Sequence, residues 1–94
     1  MAAEVAAETA GSVHITVRYF GAALVAAGAD AEQLAIRSGA SVDELVDGLA
    51  HRSPKLARVL LRCSFLCDGV AVRDRAQLLR AGTTVDVLPP FAGG

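Results

Sequence analysis

The stretch of this sequence best equipped for chemistry is its last seven residues, Leu88-Pro89-Pro90-Phe91-Ala92-Gly93-Gly94. Pro89 and Pro90 have fixed φ and no backbone N–H, so they end sheet pairing and project the chain stiffly. From Pro89 to Gly94 the backbone spans at most about 20 Å. Gly93 and Gly94 carry no side chain, so they can thread a narrow channel and adopt any φ that a pocket demands. The chain then stops on the carboxylate of Gly94. A carboxylate is a poor electrophile until it is activated, and nothing else in the sequence can activate it. The expectation is therefore a domain that serves as the handle on a reactive terminus, with activation supplied by another protein. The competing reading is an inert tail, for which deletion of Gly93-Gly94 would change nothing.

Other chemistry is hard to find. "FGAALVAAGAD" contains glycines, yet it lacks the Gly-Lys-Ser/Thr ending of a phosphate loop and the close spacing of a dinucleotide loop. His14 and His51 show no metal spacing and sit beside no nucleophile motif. Cys63 and Cys67 are four residues apart. On a strand they share a face about 13 Å apart, too far to bridge, so they read as small apolar residues. Nine basic residues against ten acidic ones leave a net charge of -1, without the clustered basic face of a nucleic-acid binder. Eight of the nine cations are arginine and Lys55 is the only lysine. No apolar run is long enough to cross a bilayer, and "MAAEVAAETAGS" has no basic residue of the kind that opens a secretory signal. Cytoplasmic location, no bound cofactor and no metal are the expectations.

Ninety-four residues make one domain. Residues 1–12 read as a mobile N-terminal arm, 13–88 as the folded domain and 89–94 as an extended tail. "VHITVRYF" alternates, with Val13, Ile15, Val17 and Tyr19 on one face, as a half-buried strand does. "GAALVAAGAD" suits a short helix ending at Gly28. "EQLAIRS" reads as a second strand, inward through Leu34 and Ile36 and closed by Gly39. In "SVDELVDGLAHR", Ser41 and Glu44 have capping-box spacing, and Val42, Leu45, Val46, Leu49 and Ala50 form an apolar stripe. Ser53-Pro54 starts another short helix with Leu56, Val59 and Leu60 as its buried edge. "SFLCDGVAVR" reads as a hairpin turning at Asp68-Gly69. In "DRAQLLRAG" both Leu78 and Leu79 are expected inside. "TTVDVL" is the last strand, with Val85 and Val87 set against Thr84, Asp86 and Leu88. The order predicts an α+β fold, one mixed sheet packed on a main helix.

"GTTVDVLPPFAGG", preceded by the capped helix and the "CDGVAVR" hairpin, resembles the sulfur-carrier proteins of the ubiquitin-like β-grasp fold, in particular the MoaD-like small subunits of molybdopterin synthase. The resemblance runs from about Val13 to Gly94, and "LPPxAGG" at residues 88–94 is its most specific part. It implies that a ubiquitin-activating-like adenylyltransferase, using ATP and magnesium, adenylates Gly94, and that sulfur from a persulfide donor turns it into a thiocarboxylate. It also implies that the tail, Pro89, Pro90, Phe91, Ala92 and Gly93, enters a large synthase subunit that holds the catalytic lysine. There the sulfur passes to cyclic pyranopterin monophosphate, in a heterotetramer. Phe91 departs mildly from the smaller aliphatic residues common at that position. Leu88 and an apolar patch on the exposed sheet face are the candidate docking surface. Carriers that feed cysteine or thiamine synthesis, and protein modifiers that form isopeptide bonds through the last glycine, are the alternatives.

Overall fold

The structure, a computed structural model, describes residues 11–90. Most of the expected N-terminal arm, and Phe91, Ala92, Gly93 and Gly94 of the expected tail, lie outside the described residues. The elements are β1 (Ser12–Tyr19), α1 (Gly21–Ala27), β2 (Ala31–Arg37), α2 (Val42–Ala50), α3 (Pro54–Leu60), β3 (Ser64–Cys67), β4 (Val70–Ala71) and β5 (Thr84–Leu88). The five strands form one sheet in the order β2-β1-β5-β3-β4. β1 runs antiparallel to β2 and parallel to β5, and β3 is antiparallel to both β5 and β4. This is the α+β, mixed-sheet architecture read from the sequence.

The local chemistry explains each boundary. α2 begins with the expected capping box: Glu44 N–H donates to Ser41 Oγ at 3.2 Å while Ser41 N–H donates to Glu44 Oε1 at 3.2 Å. α3 begins at Pro54, with Leu56 N–H donating to Ser53 Oγ at 3.0 Å. α1 ends where Gly28 takes φ +79, the left-handed value that stops a helix without a Cβ penalty. The hairpin turns at Asp68 (φ 49) and Gly69 (φ 83), both positive, as a two-residue turn matching the twist of its strands requires.

One face of the sheet carries the core. Ile15, Val17 and Tyr19 of β1, Phe65 and Cys67 of β3 and Val85 and Val87 of β5 pack with Val42, Leu45, Val46 and Leu49 of α2 and Leu56 and Leu60 of α3. The apolar stripes foreseen for both helices are the ones buried, with Val59 and Ala50 only partly covered. Leu34 and Ile36 are half-buried, because β2 is an edge strand.

One expectation fails. Leu78 is 61% exposed while Leu79 is buried at 4%. The backbone of Leu79 donates to Ala40 O at 2.8 Å, and Ser41 bridges Leu78, so the segment runs extended and adjacent side chains point opposite ways. Asp86, on the face opposite Val85 and Val87 as read, is nonetheless only 6% exposed. β5 is the central strand, and its neighbours on both sides cover that face.

Candidate functional site

β5 is what positions the carboxyl-terminal segment. Its C-terminal end is held on both sides: Phe20 N–H donates to Val87 O at 3.2 Å, and Leu88 pairs with Ser64 of β3. The hairpin is locked to the start of the same strand, because Asp68 N–H donates to Thr84 O at 2.8 Å and Thr84 N–H donates to Asp68 Oδ1 at 2.9 Å. Pro89 then removes the next ladder donor, and pairing stops there. Sequence reasoning begins the projecting tail at Pro89, but Pro89 is buried and Pro90 is the first exposed residue.

Pro89 and Pro90 lie in a groove on the helical side of the sheet, with Ala22 of α1, Val59 of α3, and Leu61 and Arg62 just beyond α3. Leu88 takes the other side, half-buried on the outward face of the sheet. The chain therefore leaves the sheet along one line, with two different surfaces beside its root.

The outward face is organised by a fork that sequence reasoning missed. Arg18 Nε donates to Asp86 Oδ1 at 2.6 Å and Arg18 Nη2 donates to Asp86 Oδ2 at 2.9 Å, a bidentate pair between register partners of β1 and β5. The Arg18 guanidinium also lies 5.4 Å from the centroid of the Phe20 ring. Bonding to Asp86 raises the Arg18 pKa, so the cation is fixed at every working pH. Half-buried Leu66, the register partner of Asp86 on β3, borders the pair, and Leu88 follows two residues along β5. The signal in the sequence was alternation alone: Arg18 and Asp86 occupy outward positions of their strands, but only the parallel register makes them partners.

Elsewhere, Tyr19 Oη donates to Glu32 Oε2 at 2.5 Å, and Arg52 Nη2 donates to Glu32 Oε1 at 2.8 Å while its Nη1 pairs with Glu32 Oε2. The Arg52 bond holds the Glu32 carboxyl below its usual range. Burial, then the Glu32 bond, pushes the Tyr19 phenol upward. This network ties β1, β2 and the end of α2 together and is structural. Cys63 and Cys67 are free and buried, and burial raises both thiols, which disfavours the reactive thiolate. Cys63 Sγ donates to Val59 O at 3.3 Å. Among the described residues no cluster of His, Cys, Asp or Glu could hold a metal ion, and no helix is long and apolar enough to cross a membrane.

A family model for the ThiS family matches residues 17–94, which is most of the chain and includes the final Gly93-Gly94. The chain belongs to the ThiS family. Solved structures agree on the fold. One from Pyrococcus furiosus, named as a candidate molybdopterin converting factor subunit 1, is 26% identical with a TM-score of 0.76, covering 83% of this chain and 98% of that one. Small archaeal modifier protein 1 from Haloferax volcanii is 22% identical with a TM-score of 0.73, covering 86% and 99%. A complex of subunits 1 and 2 of the molybdopterin-converting factor from Helicobacter pylori matches at 23% identity and a TM-score of 0.62, covering 87% and 100%. No curated protein sequence matches the chain. This ThiS-family chain thus has the α+β, ubiquitin-like β-grasp fold of these structures.

Proposed function

We propose that the chain is the sulfur-carrying small subunit of molybdopterin synthase, with the sulfur held as a thiocarboxylate on Gly94. The observation that carries this reading is the family match running through Gly94, on a sequence whose last strand leads directly into Pro89-Pro90 and the di-glycine. In this reading the Gly94 carboxylate attacks the α-phosphorus of ATP on an adenylating partner and pyrophosphate leaves. The terminal sulfur of a donor persulfide then attacks the acyl carbon and AMP leaves, and a thiol cleaves the resulting acyl disulfide, which frees the thiocarboxylate and leaves the donor sulfur in a disulfide with that thiol. The thiocarboxylate sulfur is a softer nucleophile than a carboxylate oxygen. It sits on an arm whose reach, from exposed Pro90 to Gly94, is at most about 17 Å. Pro89 anchors that arm, Pro90 starts its projection, Phe91 and Ala92 supply its length, and Gly93 keeps the end slim where it enters the partner. Leu88, beside the Arg18–Asp86 fork, belongs to the surface that meets the large subunit, whose pocket supplies the chemistry on cyclic pyranopterin monophosphate.

The test is the intact mass after incubation with an adenylyltransferase of this type, ATP, magnesium and a sulfur source. The expected result is a gain of one sulfur minus one oxygen, absent when Gly94 is deleted and absent when one residue is added after it. No gain with an enzyme active on its own carrier overturns the reading. The neighbours named as modifier proteins keep a second reading in play, in which Gly94 forms an isopeptide bond to a target lysine. Its mark is a di-glycine remnant on lysines of other proteins, with the sulfur gain absent.

A further inference from the structure

Among the described residues the sheet has one long open edge. The seven residues of β2 have β1 on one side and no strand on the other, whereas the opposite edge, β4, is only two residues long. Tyr19 N–H donates to Asp30 O at 2.8 Å and Ser38 N–H donates to Gly11 O at 3.1 Å, so the even-numbered residues of β2 make the bonds to β1. Alternation in an antiparallel pair then turns the N–H and C=O groups of Ala31, Gln33, Ala35 and Arg37 toward the open edge. Sheet edges are commonly defended by lysine, proline or a bulge. β2 has neither lysine nor proline, and its register with β1 is unbroken. Its two charged residues are each held by a partner in the same chain, Glu32 by Arg52 and Arg37 by Glu44. Beside the edge runs a groove formed by Leu34, Ala35 and Ile36 of the strand and Leu45, Gly48 and Leu49 of α2; its charged members, Glu44 and Arg52, are the two already paired.

We propose that two copies of this chain pair through β2, antiparallel, with Ala35 opposite Ala35 of the other copy. The strand side of the groove is centred on Ala35. That register sets half-buried Leu34 against Ile36 of the other copy, and Ile36 against its Leu34, so four apolar side chains meet across the seam. It also sets Gln33 against Arg37 and brings no two like charges opposite each other. Centring the pair on Leu34 instead would set Ile36 against Glu32. On the helical side Gly48 presents no side chain, and a Cβ there would meet nothing within 4 Å, so the other copy has room to enter. A net charge of -1 gives little mutual repulsion to oppose association. The ladder from Gln33 to Arg37 makes a small interface, so the dimer is weak and depends on concentration. β1 separates β2 from β5, so the pairing leaves the carboxyl-terminal segment free, and the inference stands apart from the carrier reading.

The experiment is sedimentation equilibrium of the full chain over a concentration series, alongside Ala35→Lys and Ala35→Glu, each checked by thermal melting. The wild-type mass should climb from 9.6 kDa toward twice that value. Each variant alone should stay monomeric, because like charges would face each other across the twofold axis. An equimolar mixture of the two variants should associate again, since a register that places position 35 against itself puts lysine opposite glutamate. Amide exchange gives a second measurement on the unaltered chain, and it decides the matter if a variant does not fold. The Ala35 and Gln33 amides should exchange more slowly as concentration rises, while that of Leu34, already bonded to β1, should not change. A full chain that stays at 9.6 kDa at every concentration up to about 1 mM leaves the edge to a strand of a different protein and overturns the inference. Association that survives in both variants, or an Ala35 amide indifferent to concentration in an associating chain, assigns the contact to another surface and also overturns it. A mixture that stays monomeric while the wild type associates overturns the pairing at Ala35.

Discussion

Asp86 is an acid in the middle of the sheet, and its surroundings show how one residue's position governs what its partner is worth. Its side chain is 9% exposed, while that of Arg18 is 51% exposed. Removing the carboxylate leaves a guanidinium that water can still solvate. Removing the guanidinium leaves a carboxylate that water reaches poorly, and a stranded buried charge is the more damaging of the two. Arg18→Met should therefore lower the melting temperature more than Asp86→Asn, and the double variant should melt above Arg18→Met alone. Thermal denaturation of the three proteins checks the order, and equal effects would show that the fork is no more than a surface ion pair. None of this was legible from composition. Capping-box spacing marks Glu44 in the sequence, but nothing there marks Asp86 or Glu32, because burial of an acid depends on which strand becomes central and which arginine reaches it.

At the scale of elements the sequence was far more informative, since caps and turns act through neighbours in the chain. Ser41 and Glu44, Ser53-Pro54, Gly28 and Asp68-Gly69 all do what their spacing implies. The failures occur where no periodic signal exists. Leu78 and Leu79 lie in a connection without regular structure, and adjacent leucines there cannot both face inward once the backbone is extended. The second arm of the hairpin shrinks to Val70–Ala71, with Val70 69% exposed on the sheet's edge. Two substitutions test the capped helix. Ser41→Ala removes the hydroxyl that accepts from Glu44 N–H and should destabilise the protein by about 1 kcal/mol. Gly48→Ala should stabilise it by about 0.5–1 kcal/mol, because a methyl group there meets nothing within 4 Å and the unfolded chain loses freedom. Urea unfolding midpoints at constant slope measure both, and a destabilised Gly48→Ala would mean that α2 needs its glycine for a reason beyond space.

For the whole molecule, the Tyr19–Glu32–Arg52 network sets how stability responds to pH. Glu32 is held below its unfolded value, chiefly by the Arg52 bond, so its contribution is present above about pH 4.3 and is lost as pH falls through the lower folded value. Glu44, lowered chiefly by Arg37, acts in the same direction. Tyr19 is raised by burial, so its contribution is present below about pH 10 and disappears as pH climbs through the higher folded value. Stability should be flat from about pH 5 to 9 and fall on both sides. Arg52→Gln should soften the acid limb, and Tyr19→Phe should soften the alkaline one. Denaturant midpoints across the pH range read this directly, and an acid limb unmoved by Arg52→Gln would assign it to other carboxylates.

The neighbouring positions of β1 and β5 have one more consequence. The first and last strands of the described chain lie side by side and parallel, registered from Thr16 against Thr84 to Tyr19 against Val87. A partner that grips the end of the chain and hauls on it cannot peel β5 away one hydrogen bond at a time. The load falls along the strand, in shear, on the whole ladder to β1 and at once on the ladder to β3. The point at which the chain leaves the sheet is thus rooted between two ladders, so a pull on Pro90 is shared by both strands that flank β5.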